Sequence, residues 1–243
     1  MEIAVTGEGK TDYGMREYGC PTWKWGPIAT YIRKVADKND VSISLTPISR
    51  EDISKIKIQR SMGSGLCGHG IPARKFTILM KLKGYDKGIF YCDADRESGA
   101  ENTEVQARKR FEKVYKEVED GLNVEGINAI PMIALRMIEA WIMGDKKAIE
   151  EALDIIIPDK LYPTNPELLW GDVHDPKSNY PKNYLTRMIA SCDKRYKNYS
   201  TSMDDFCNIA EVTDIDTLRD TCRISFGKFC DDFDEMFGGI ARW

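Results

Sequence analysis

Three observations predict an α/β fold: a mainly parallel sheet flanked by helices, with a helical extension at the C-terminal end. Short apolar runs alternate with helix-period segments as β, α, β, α, β, α, β, α through residues 1–153, the order expected of parallel strands joined by crossover helices. Beyond residue 154 the texture changes to a loop dense in Pro, Asn and aromatics, then to helical periodicity alone. The chain has 243 residues, 42% apolar and 30% charged, enough to bury a sizeable core.

The elements follow in order. Residues 2–6, EIAVT, read as a strand, and a loop rich in breakers follows with Gly7, Gly9, Gly14, Gly19 and Pro21. Gly26-Pro27 open a helix whose Ile28, Tyr31, Ile32 and Val35 fall on one face. VSISLTPI (41–48) alternates as a strand does. A polar segment leads to the glycine-rich GSGLCGHG (63–70), and a helix is predicted over 72–83 with Pro72 near its start. KGIFYCDAD (87–95) is a strand running into acids. Residues 101–122 carry the clearest helical stripe: Phe111, Val114, Tyr115, Val118 and Leu122. INAIPMIA (127–134) reads as a strand and 136–153 as one helix. LYPTNPELLWGDVHDPKSNYP (161–181) reads as a long ordered loop, with helices over 181–192, 202–211 and 214–236, the last broken near Gly227. The division is a core of 1–154 and an extension, 155–243, packed on it.

Bulk properties narrow the setting. The apolar runs are too short to span a membrane, and MEIAVTGEG, with its acid and no long apolar stretch, does not read as a signal peptide. The seven cysteines are odd in number and form no CxxC, so a reduced, cytoplasmic protein is expected rather than a disulfide framework or zinc ribbon; neither they nor His174 is given a functional role. The net charge of −4 counts mildly against a stand-alone nucleic-acid binder but leaves room for an enzyme with a local basic face.

AVTGEGKTD (4–12) has the loose spelling of a phosphate-binding loop. That loop needs a full strand before its first small residue and a long helix opening at Lys-Thr. Here only MEI precedes Ala4, and the following KTDYGMREYGCP contains two glycines and a proline. Glu8 would also stand among amides meant for phosphate and repel it. The better reading is a strand and glycine-framed turn that display Glu8 at the strand's C-terminal end, where sites lie on open parallel sheets. A second strand end supplies Asp93 and Asp95, whose side chains share one side of an extended chain. Such a pair repels unless a cation joins it, and oxygen ligands suit Mg2+ or Mn2+.

These residues carry a resemblance. VTGEGKTD resembles the Glu-Gly-x-x-Asp element of TOPRIM domains, and FYCDAD their Asp-x-Asp element. The 85 positions between Glu8 and Asp93 exceed a minimal TOPRIM core, the surplus being residues 50–75. Arg136, Glu139, Trp141 and Asp145, with the later Ser225, Phe226 and Phe229, are similar to motifs of a TOPRIM-like prokaryotic family related to OLD-type nucleases, often encoded beside ATPases in defence gene clusters. The resemblance implies a TOPRIM/Rossmann-like fold, a Mg2+-dependent nuclease acting on DNA or RNA, and an ATPase partner.

On this reading Glu8, Asp93 and Asp95 are catalytic and metal-binding, and Glu139 is a further metal ligand. Arg136 and Glu139 are placed three apart on one helix face. Lys10, His69, Arg74, Lys75, Arg96 and Arg136 are candidates to hold the substrate backbone, and Trp141 is expected to pack. A homo-oligomer is left open and no membrane association is expected. The competing reading is a non-catalytic subunit of the same fold that docks onto an ATPase.

Overall fold

The computed structural model describes residues 1–20, 22–58, 65–94 and 103–238. Asp95 and Arg96 lie outside the described residues, as do the loop positions 63–64 and the first residues of the helix expected from 101. The chain opens with β1 (Glu2–Thr6), a π-helical turn (Gly9–Tyr13), and an antiparallel hairpin of β2 (Gly14–Arg16) and β3 (Trp23–Trp25). Then follow α1 (Pro27–Lys38), β4 (Ser44–Pro47), α2 (Arg50–Lys55), α3 (Gly70–Lys83), β5 (Lys87–Asp93), α4 (Glu104–Leu122) and β6 (Asn128–Ala134). The remainder is helical: α5 (Ile138–Ile142), α6 (Lys146–Leu153), α7 (Pro181–Cys192), α8 (Met203–Val212), α9 (Ile215–Thr221) and α10 (Phe226–Phe237).

The main sheet has the order β4-β1-β5-β6, and every pair in it is parallel. A sheet covered on both faces needs strands apolar on both sides, which is why EIAVT and GIFYC read as continuous runs rather than alternating ones. On one face Ile3, Val5, Ile89 and Tyr91 pack with α1 and the C-terminal helices; on the other Ala4, Phe90 and Cys92 pack with α2, α3 and α4. Leu185, Phe206, Phe226, Phe229 and Phe233 belong to the same apolar cluster as Ile3 and Val5, so the residues beyond 154 help build the core on that face. The chain winds from β1 outward to β4, then crosses back to β5 on the other side of β1. Between β1 and β5 lies the topological switch point, where the two loops part and leave a crevice.

Several local expectations change. The breaker-rich loop after β1 contains the π-helical turn and the β2–β3 hairpin, and the polar segment contains α2. Residues 136–153 are two helices, not one: Arg136 takes a left-handed φ of 75° before α5 starts, and Gly144 separates α5 from α6. Arg136 and Glu139 therefore do not share a helix face. A Cβ on Gly144 would stand 2.2 Å from Leu218 Cδ1, so glycine admits α9 there, and extended Asp145 caps the new helix. The late break falls between Thr221 and Phe226, with Gly227 inside α10.

Most of the later motif is architecture. Trp141 is fully buried, stacks edge-on to Phe226 with ring centroids 5.2 Å apart, and donates Nε1–H to Ser225 Oγ at 2.7 Å. Ser225 Oγ in turn donates to buried Glu167, which also accepts the amides of Ile224 (3.0 Å) and Ser225 (2.9 Å). Asp145 caps α6 through the amides of Lys147 and Ala148 and accepts that of Asp214 with its other oxygen. Among the described residues no helix is long and apolar enough to cross a membrane.

Candidate metal centre

The register of β1 against β5 pairs Thr6 with Phe90, so two residues further on Glu8 reaches the end of β5. There Glu8 Oε1 accepts the Asp93 amide at 3.1 Å, while Oε2 lies 3.2 Å from Arg50 Nη1 at the start of α2. The chain then tightens into the π-helical turn, a form concentrated at functional sites. It is not the long helix of a phosphate-binding loop. Gly9 has φ 80°, and a Cβ there would stand 2.8 Å from Asp12 Oδ2, so glycine both permits the turn and admits the Asp12 carboxylate. Tyr13 closes the turn over the sheet, its hydroxyl 2.7 Å from Val5 O and 3.2 Å from Ile48 O. Gly7 makes room for that ring, since a Cβ would meet Tyr13 Cβ at 2.9 Å.

Four carboxylates stand within electrostatic reach of one another at this switch point: Glu8, Asp12, Asp93 and, from the first turn of α5, Glu139. Asp12 and Glu139 are buried. Burial, then the charges of Glu139 and Glu8, push the Asp12 carboxyl up to about 8, with Lys182 and a hydrogen bond to Tyr91 opposing. Asp93 is pushed well above the usual carboxylate range by burial and then by Asp12, with Glu8 and Glu139 adding to it; a hydrogen bond from Tyr91 Oη to its Oδ1 at 2.6 Å works the other way. Burial raises Glu139 as well. Mutual repulsion that raises carboxylates in a crevice is what a divalent cation relieves. The donor set is all oxygen, the preference of a hard ion.

The expected basic residues scatter. A cavity of about 620 Å³ over the acids is lined by Glu8, Asp12, Asp93, Arg50, Arg110 and Lys113 among others. Lys75 lines a smaller cavity of about 250 Å³ that shares Glu8, Arg50 and His69 with it, and Lys10 lines another beside the hairpin. Arg74 points away and donates Nη2–H to the carbonyls of Asp120 and Asn123, which cap the end of α4. Arg136 is 1% exposed, with its guanidinium over the Trp170 ring at 4.7 Å. Its Nε and Nη1 have no hydrogen-bond partner, and burial, with Arg110 nearby, lowers it to about 10.

His69, which lines both the cavity over the acids and the smaller one, forms with Glu8 and Cys92 a group that could hold a metal ion, each offering one ligand atom within 4.8 Å of the others. Burial pushes the Cys92 thiol well up, and all seven cysteines are free.

The domain of unknown function DUF4276 matches residues 8–234. The chain belongs to that family. No curated protein and no solved structure matches it. The DUF4276 match begins at Glu8 and spans all four acids, His69 and Cys92.

Of the site residues expected from the sequence of the DUF4276 region, Glu8 and Glu139 stand within electrostatic reach of Asp93. Sequence reasoning overlooked Asp12, although Asp12 closes the GEGKTD element quoted for the resemblance and was readable as an acid four residues after Glu8. Arg50 and Lys182 carry no local signal, since only the tertiary fold brings them to the acids. Cys92 was passed over as an isolated thiol, and only the register of β5 against Glu8 shows its setting.

Proposed function

We propose that this DUF4276 chain is a Mg2+- or Mn2+-dependent phosphoryl-transfer enzyme, a nuclease on DNA or RNA. One observation carries the reading: Glu8, Asp12, Asp93 and Glu139 lie within electrostatic reach of one another at the switch point of a parallel sheet, and Asp12 and Asp93 are held well above the usual carboxylate range. The TOPRIM resemblance supports it. Asp12, Asp93 and Glu139 would hold the ion. When bound, the ion would neutralise the substrate phosphate and acidify water for attack.

The protein's own groups do the rest. Glu8, oriented by the Asp93 amide and Arg50, stands at the rim as the carboxylate able to take or return a proton at the attacking or leaving oxygen. Tyr91 fixes the Asp93 carboxylate from behind. Arg50 and Lys113, along the larger cavity, and Lys10 beside the hairpin would hold backbone phosphates without reading sequence. A cytoplasmic setting, an ATPase partner and a role in defence belong to the same proposal through the resemblance.

The test is cleavage of single- and double-stranded DNA and RNA with Mg2+ or Mn2+. The parent should cut only with metal, and Asp93→Asn should cut nothing while remaining folded. Cleavage by Asp93→Asn at the parental rate would overturn the assignment.

A further inference from the structure

We infer that Glu8, His69 and Cys92 form a second metal position, built for a thiophilic divalent ion of the Zn2+ class and distinct in chemistry from the oxygen-only acid cluster. Successive side chains of a strand point to opposite faces. Tyr91 and Asp93 therefore serve one side of the β5 end, while Cys92 faces the side covered by α3 and α4. Glu8 stands between the two. Its carboxylate, the His69 ring and the Cys92 sulfur each offer a ligand atom within 4.8 Å of the others, a spread that small side-chain rotations close to the 2.0–2.3 Å bonds of zinc, roughly. Thiolate with imidazole selects Zn2+ and its neighbours, whereas Mg2+ avoids sulfur.

The group is held in place by its surroundings. The His69 amide donates to Glu117 Oε2 at 3.0 Å, and His69 Nδ1 lies 3.5 Å from the same oxygen. That Nδ1 is buried and makes no hydrogen bond, so the Glu117 carboxylate is the acceptor nearest to hand for it. A carboxylate behind a ligating imidazole is the usual way such a ring is oriented, and it leaves Nε2 for the ion. The loop is moulded onto Glu117: Gly68 has φ 46°, and a Cβ there would fall 2.0 Å from Glu117 Oε2. Three protein ligands would leave a fourth position for water or substrate, and the three residues line a cavity of about 250 Å³ with Arg50 and Lys75. On binding, the sulfur–metal bond replaces the S–H bond and the proton passes to solvent. The assignment does not depend on the phosphoryl-transfer reading.

Co2+ is the probe. The full chain, stripped with a chelator, is titrated with Co2+ and its absorption followed. The expected result is a near-ultraviolet thiolate-to-cobalt band with tetrahedral visible bands, collapsed by Zn2+ and untouched by excess Mg2+. Cys92→Ser should lose the thiolate band and His69→Gln the tetrahedral bands. Asp93→Asn and Cys67→Ser should keep both, which separates this site from the acid cluster and from the nearby exposed thiol. If Cys92→Ser does not fold, His69→Gln, on a surface loop, decides alone. Absence of a thiolate band, its survival in Cys92→Ser, or unchanged spectra in His69→Gln would overturn the assignment.

Discussion

Asp12 joins the chemistry of the site to the stability of the protein. Its folded-state pKa lies above the unfolded value of 3.8, at about 8. Between those values the folded chain binds more protons than the unfolded one, so stability falls as pH rises. Without metal, the Asp12 contribution to the melting temperature should be largest near the lower value and decline toward pH 8. Asp93, shifted the same way, adds to the decline. Asp12→Asn should flatten the profile, and saturating Mn2+ should restore the loss at pH 8; calorimetry across that range checks both. For the same reason Asp93→Asn should melt no lower than the parent when metal is absent. Glu167 is a contrasting buried acid, one that makes contacts within the fold. Glu167→Ala would strand the amides of Ile224 and Ser225 and the Ser225 hydroxyl, and should cost about 3 kcal/mol in chemical denaturation. Nothing in the local sequence marks Glu167, because its partners are more than fifty residues away and only the fold supplies them.

At the scale of elements, the π-helical turn decides whether Asp12 faces the other acids. Gly9→Ala introduces a Cβ at a left-handed φ and against the Asp12 carboxylate. It should cost about 1–2 kcal/mol for the backbone alone and weaken Mn2+ binding, measured by calorimetric titration, more than the stability loss explains. Parental Mn2+ affinity in that variant would mean that Asp12 is not a ligand. The strands were legible because doubly covered strands must be apolar throughout, and EIAVT, KGIFYC and INAIPMIA show it. The helix expected over 136–153 misled because its apolar spacing continues across Gly144, where the chain gives way to Leu218 on α9 and restarts at the Asp145 cap. Periodicity reports what faces the core, not where a neighbouring helix cuts the run.

For the whole molecule, alternation of strand and helix predicted the parallel sheet, and the switch point between β1 and β5 follows from its order. The C-terminal helices finish one face of that sheet, with Phe226, Phe229 and Phe233 in the cluster of Ile3 and Val5. A fragment ending near residue 180 should expose this face and be insoluble or molten; a soluble fragment with a cooperative melt would show that the core closes without them. The central claim, that the acids at the switch point are a divalent-metal centre, is tested most directly by the crystal structure of the chain soaked in Mn2+, read at the manganese absorption edge. The account predicts an anomalous peak within about 2.1 Å of Asp93 and at least one of Asp12 and Glu139. A fully soaked crystal with no peak there would contradict it.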